Sequence, residues 1–194
     1  LIPLYEKDFE ANKGDAVWLQ RAAGKMSEKE CTEDPLFFKL VNALYETNPS
    51  ANAAYYLGLL KDKDNKPNEA IKFYEQAISL ETDNFKKSKL YYRIATKMKA
   101  KRAYGKARNY YRQALSLNPS NGRPYIAIAA MYAASANDCG DTNFDKRAVY
   151  WLAAAEANKA ARVDPTMKKA AAQSAANYEA KAPSKADIFS SGRS

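Results

Sequence analysis

The strongest constraint on this chain is a pair of spacings between Lys89 and Pro119. Ile94, Ala95 and Met98 fall three, four and seven residues after Tyr91, so the four share one face of a helix. Ala107, Tyr111 and Ala114 repeat that spacing on a second segment. Gly105 stands near the turn between the two, and Pro119 closes the unit. Ala95 and Ala107 are small where two helices must approach each other. The segment therefore reads as a helix–turn–helix unit.

The rest of the chain reads as variations on it. Leu57-Gly58 stands in the place of Ile94-Ala95, and Ala70, Tyr74 and Ala77 follow in the place of Ala107, Tyr111 and Ala114. A glycine inside a helix costs about 1 kcal/mol against alanine, which close packing would offset. Tyr125, Ile128, Ala129 and Tyr132 open a further unit. Its second helix is delayed by an insertion at Ser135–Asn143 and an extended start at Phe144–Trp151, after which Ala153, Ala157, Ala160 and Pro165 restore the pattern. Helices are expected over 2–12, 15–26, 35–47, 51–63, 67–80 and 166–181, with Asp34 as N-cap and Pro35 at the first helical position of the third.

These spaced positions resemble the tetratricopeptide repeat (TPR). The resemblance implies an all-α, right-handed α-solenoid of antiparallel helix pairs, about ten helices in all. It covers residues 1–181, with a degenerate portion at 1–50, clear repeats at 51–165 and a capping helix at 166–181; residues 182–194 are expected to form a mobile C-terminal tail. The stretch Cys139-Gly140-Asp141-Thr142, with Phe144 and Lys146–Trp151, resembles uncharacterised TPR proteins of Bacteroidota. That narrower resemblance implies a bacterial protein, exported to the periplasm or else cytoplasmic, with no known enzyme activity. It also implies a chain running past Ser194, with a further cysteine that Cys139 could pair with. Within this chain, Cys31 and Cys139 lie in turns of different helix pairs, so two free thiols are expected.

Several function classes are excluded. Histidine is absent and there are 2 cysteines, which removes the commonest general base and any four-ligand zinc site. Gly58, Gly105 and Gly122 are isolated, so no phosphate loop is present. The expectation is no catalysis, no metal and no cofactor. No apolar run approaches the roughly 20 residues that span a bilayer, so no membrane insertion is expected. The chain opens on Leu1-Ile2-Pro3 as if in mid-repeat, which suggests a fragment or a processed form, and it leaves Leu4, Phe9 and Trp18 as an apolar edge for self-association.

Charge is the informative feature. Between Asn84 and Asn137 there is no Asp or Glu, whereas Lys86, Lys87, Lys89, Arg93, Lys97, Lys99, Lys101, Arg102, Lys106, Arg108, Arg112 and Arg123 are basic. With a net charge of +9, the remainder of the chain carries 9 − 12 = −3. Such a segment attracts an anionic partner, unless acids from adjacent repeats neutralise it. In TPR proteins the first helix of each pair lines the concave groove. The resemblance therefore implies a groove of Lys89, Tyr92, Arg93, Thr96 and Lys99, with Arg123 and Ile126 from the next repeat. Lys89 and Arg93 are four apart, which resembles one half of a carboxylate clamp, but Tyr56 stands where the preceding repeat would supply the other half. The favoured function is a non-enzymatic scaffold that binds an acidic peptide or protein. The alternatives are a structural module assembling through its ends, or an accessory subunit binding nucleic acid or acidic polysaccharide. Nucleic acid is disfavoured because Tyr91 and Tyr111 are core positions and no nucleic-acid motif accompanies them.

Overall fold

Three N-caps set the start of three early helices. Asp15 accepts from the Val17 and Trp18 N–H groups at 2.9 and 3.1 Å, Asp34 from Leu36 at 2.8 Å, and the Ser50 hydroxyl from Ala53 at 3.3 Å. Each satisfies first-turn donors that have no partner inside the helix. Helices α2 (Ala16–Glu28), α3 (Pro35–Thr47) and α4 (Ala51–Lys63) begin directly after them.

The computed structural model describes residues 1–192, and these hold eleven α-helices and no strand. The others are α1 (Ile2–Asn12), α5 (Pro67–Leu80), α6 (Asn84–Ala100), α7 (Tyr104–Leu117), α8 (Gly122–Ala134), α9 (Asn143–Val163), α10 (Lys168–Glu179) and α11 (Lys185–Ser190). The chain divides into two compact units, Leu1–Leu90 and Tyr91 onward, and the division falls inside α6. In the first unit α2 packs on α3, α3 on α4 and α4 on α5; in the second, α7 on α8, α8 on α9 and α9 on α10. No helix among the described residues is long and apolar enough to cross a membrane.

One interval builds the core of every pair. Ala70, Tyr74 and Ala77 on α5, Ala107, Tyr111 and Ala114 on α7, and Ala153, Ala157 and Ala160 on α9 are spaced four and three apart, and all are buried. The insertion before α9 therefore displaces the second helix without changing its packing face. It consists of a 3₁₀ turn at Ala136–Asp138, with Ala136 buried, and a capping box in which Thr142 and Asp145 satisfy each other's backbone N–H groups. On α3 the same interval is filled by Phe37, Val41 and Leu44, all fully buried. Large and small side chains are exchanged there: Phe37 stands where α5 has Ala70, and Val41 where it has Tyr74. The Phe37 ring meets Tyr56 edge-on at 5.9 Å.

The turns inside the first three pairs are alike. Glu30, Asn65 and Arg102 take φ of 57°, 55° and 58°. The following N–H in each case returns to the helix: Cys31 to the Met26 carbonyl at 2.8 Å, Lys66 to Lys61 at 2.8 Å, and Ala103 to Met98 at 3.0 Å. This is the Schellman arrangement, which ordinarily favours glycine at the left-handed position. Glu30→Gly is therefore expected to stabilise the first unit by about 0.5–1 kcal/mol, the relief of left-handed strain outweighing the entropy that glycine adds to the unfolded chain. Denaturant titration checks this, and a lowered midpoint would count against it.

Asp164 joins the α9–α10 turn to the start of α8. Its carboxylate accepts from the Gly122 N–H at 3.0 Å, and from the Thr166 hydroxyl and N–H at 2.6 and 3.1 Å. A Cβ on Gly122 would lie 2.8 Å from the Asp164 Cβ, so the approach requires glycine. The Thr166 hydroxyl, followed by the Gly122 N–H, holds the Asp164 carboxyl below its ordinary value of 3.8. A folded-state pKa below the unfolded one gives stability that is complete above the ordinary value and lost as pH falls through the depressed one. Asp164→Asn should therefore flatten the acid limb of the second unit's stability profile, measured by denaturant melts from neutral to acid pH.

Beyond α10 the chain does not simply trail away. Arg147 donates to the Lys181 and Ala182 carbonyls at 3.2 and 2.9 Å and pairs with Asp187 at 3.2 Å. Ala182 and Pro183 are buried, and α11 follows where the sequence shows a tail. Arg193 and Ser194 of that tail lie outside the described residues. Cys31 and Cys139 are free and half-buried.

Candidate functional site

The residues expected to line a groove fall into different surroundings. Lys89 belongs to the first unit, where it is exposed with its Nζ 4.4 Å from the centre of the Phe85 ring. The other six belong to the second. Tyr92 is half-buried against a cluster that includes Ala95, Ala107 and Tyr111, its ring edge-on to Tyr111 at 5.4 Å. Thr96 is exposed, and its hydroxyl donates to the Tyr92 carbonyl at 3.0 Å. That bond uses the only threonine hydroxyl proton, so the 3.1 Å contact between Thr96 and the Tyr111 hydroxyl has Tyr111 as donor. Burial raises the Tyr111 pKa. Tyr92, Thr96 and Tyr111 are thus the set that the structure joins by direct contact.

Arg93 and Lys99 are half-buried on α6, and Arg93 is engaged in an interaction. Arg123 is exposed at the start of α8, where Asn121 caps its backbone N–H at 3.1 Å. Ile126 occupies the place in α8 that Tyr92 holds in α6, but it packs against Ala129, Ala153, Ala157 and Ala175. Its role is therefore largely to fill the space between helices, because α9 and α10 bring small alanines against it.

The first unit solves the same problem differently. The Tyr74 hydroxyl donates to the Asp62 carboxylate, while its equivalent Tyr111 donates to Thr96, nearer the middle of the preceding helix. Gly58, equivalent to Ala95, lies directly under the Tyr74 ring: a Cβ there would come 2.6 Å from Cδ1 and 3.0 Å from Cζ. Tyrosine position, glycine and hydroxyl partner therefore change together.

Charge is where the second unit stands out. Among the described residues, Lys99, Arg102, Lys106, Arg108, Arg112 and Arg123 have no carboxylate within ion-pair distance. Arg108 instead lies over the Tyr132 ring, 5.6 Å from its centre, and donates to its hydroxyl at 3.3 Å. In the first unit some lysines find acids, Lys61 with Glu69 at 3.3 Å and Lys63 with Glu33 at 2.8 Å, while Lys66 and Lys72 have none within ion-pair distance among the described residues. The groove expectation omitted Arg102 and Lys106. Aligning the two intra-pair turns at the offset of their left-handed residues would have drawn attention to them. No group of three or more Cys, Asp or Glu among the described residues could hold a metal ion.

Residues 51–84 and 88–121 each match the model described as Tetratricopeptide repeat, so the chain carries TPR repeats. The Photosystem I assembly protein Ycf3 of Cyanophora paradoxa is 36% identical over 107 residues, which cover 50% of this chain and 62% of that protein. Ycf3 of Synechococcus elongatus is 30% identical over 110 residues, covering 52% and 64%. The chain thus matches less than two-thirds of the length of these curated relatives. Their sources differ from the kinship with Bacteroidota expected from the Cys139–Trp151 stretch. Among solved structures, MamA has a TM-score of 0.67 at 20% identity, with 86% of each chain covered. YrrB, described as a TPR protein with an unusual peptide-binding site, has a TM-score of 0.57 at 17% identity, with 97% of each chain covered. At these identities the likeness concerns the fold, which is the all-α, TPR-like solenoid class.

Proposed function

We propose that this TPR-repeat chain is a non-enzymatic scaffold that holds an acidic protein segment against the basic surface of its second repeat region. The observation that carries the reading is the set of six basic side chains, Lys99, Arg102, Lys106, Arg108, Arg112 and Arg123, with no carboxylate within ion-pair distance among the described residues. A surface cation without an intramolecular acid exerts its field on whatever approaches, raising encounter rates and selecting against cationic partners. Of the residues expected from the sequence, Lys89, Tyr92, Arg93, Thr96, Lys99 and Arg123 would then divide the work, with Ile126 packed behind them. The cations neutralise carboxylates, and the half-buried Tyr92 covers an apolar side chain. The matched relatives are named as assembly proteins, which fits a role in bringing other polypeptides together. A bacterial origin, inferred from the Cys139–Trp151 stretch, belongs to the same reading.

The test is titration of the protein against a fluorescein-labelled polyglutamate peptide. Lys89→Ala with Arg123→Ala should weaken binding several-fold, and the affinity should fall with added salt. Both side chains are exposed, so the thermal midpoint should stay close to that of the parent. Unchanged affinity in the double variant would sink the groove assignment.

A second reading, assembly through the N-terminal edge, is favoured by one observation. Of the expected edge, Leu4 is exposed at 59%, with Leu1 at 50% and Val17 at 69% beside it, whereas Phe9 and Trp18 are half-buried against the core of the first unit. Sedimentation at rising concentration separates the two readings, because self-association through apolar burial would persist at high salt.

A further inference from the structure

The turn between α6 and α7 differs from its counterpart between α4 and α5 in charge: residues 61–69 hold three lysines against three acids, whereas 98–106 hold three lysines and an arginine with no acid. Their backbones agree: Asn65 and Arg102 take φ of 55° and 58°, and the next N–H bonds back to Lys61 in one and to Met98 in the other. Asp62, Asp64, Asn65 and Glu69 stand in the first turn where Lys99, Lys101, Arg102 and Lys106 stand in the second. Three acids become three lysines at matched positions, and the left-handed asparagine becomes arginine. Arg102 and Lys106 are exposed, and neither has a carboxylate within ion-pair distance among the described residues. Left-handed arginine is a costly choice where asparagine is tolerated, so the turn geometry gives no reason for it.

We infer that the α6–α7 turn is a second contact surface for the acidic protein segment, lying outside the groove residues and built on Arg102 and Lys106. The inference rests on the acidic-partner reading and adds to it a place and two residues. An acidic polypeptide suits the surface better than a nucleic acid. Single-stranded nucleic acid gains much of its affinity by stacking bases on exposed rings. The rings of the second repeat are already used: Tyr91 lies 6.3 Å from Tyr110, Tyr92 lies 5.4 Å from Tyr111, and Tyr104, Tyr110, Tyr125 and Tyr132 pack on the buried cluster around Ala107 and Ile128. What the turn offers is cationic charge on flexible stems, which suits carboxylates.

The first turn supplies a control with a built-in precedent. Arg102→Asn with Lys106→Glu installs the residues that the α4–α5 turn already carries on the same backbone, so the fold should persist. The whole chain is titrated against the polyglutamate peptide and, separately, against a thymidine oligonucleotide. The expected result is a loss of about five- to tenfold in polyglutamate affinity, at an unchanged thermal midpoint, beyond what Lys89→Ala with Arg123→Ala produces. Polyglutamate affinity equal to that of the parent would overturn the turn surface while leaving the groove reading intact. Parent protein that ignores polyglutamate would overturn both. A selective loss of oligonucleotide binding would reassign the turn to nucleic acid and overturn the proposal. Lys106→Gln, which removes one charge and leaves the left-handed residue alone, keeps the test decisive if the double variant melts early.

Discussion

Gly58→Ala lowers the stability of the first unit, although helix propensity alone argues the opposite. Alanine in a helix interior is favoured over glycine by about 1 kcal/mol. Against this stands the Tyr74 ring, with Cδ1 at 2.6 Å from where the new methyl would sit. Tyr74 is fully buried, its ring lies 6.1 Å from that of Tyr55, and its hydroxyl is tied to Asp62. Overpacking of a held ring costs about 1–3 kcal/mol, and here, with backbone and hydroxyl holding the ring, the upper part of that range applies, so the net loss should approach about 2 kcal/mol. In a unit of this size that lowers the thermal midpoint by roughly 4–8 °C per kcal/mol. Ala95→Gly, at the equivalent site in the second unit, should lose only the propensity difference. Adding Tyr74→Phe to Gly58→Ala should recover part of the loss, since the ring is then free to move as Tyr111 has. A midpoint raised by Gly58→Ala alone would contradict the ring's position.

The larger effect is expected at Phe37. Its ring is fully buried on α3 and meets Tyr56 edge-on, so truncation leaves a cavity among Leu40, Val41 and Tyr56 as well as losing burial. Phe→Ala at such a site costs about 3–5 kcal/mol. The next residue is the control. Phe38 is half-buried with Lys63 over its ring at 4.9 Å, and Phe38→Ala should cost markedly less. Chemical denaturation of the two variants distinguishes them, and near-equal losses would mean that α3 is rotated about its axis from the position described.

Phe37 also marks a limit on what the sequence could say. Ala70, Ala107 and Ala153 were legible as small residues at a helix crossing because each stands at the same interval from its neighbours. Phe37 and Val41 keep the interval but exchange the sizes, so Val41 was legible as an apolar position of the helix while Phe37, standing where a small residue is expected, was not. Helix bounds were legible: α1, α3, α4 and α5 run over 2–12, 35–47, 51–63 and 67–80 as expected, with Asp34 and Pro35 the start signal for α3. The candidate site was legible only as a list. The run of cations was legible but not their partners, which depend on which acids the fold brings near. The sequence named Ile126 without showing the alanines of α9 and α10 against it. Arg102 was legible as a cation of the run but not as a turn residue, because a left-handed conformation is a backbone property and arginine is not the residue that announces one.

The insertion ahead of α9 has a practical meaning. Extra residues there were absorbed with the packing face of the following helix intact, and adding length to a surface connection costs little, about 0.6 kcal/mol for each doubling. Asn137 and Asp138 are exposed, Gly140 sits at a φ of 78° and Asp141 is exposed. This connection is therefore the natural place to splice in an epitope, a fluorophore or a cross-linkable residue. A handle there would report on the molecule in a cell without disturbing either helix that flanks it.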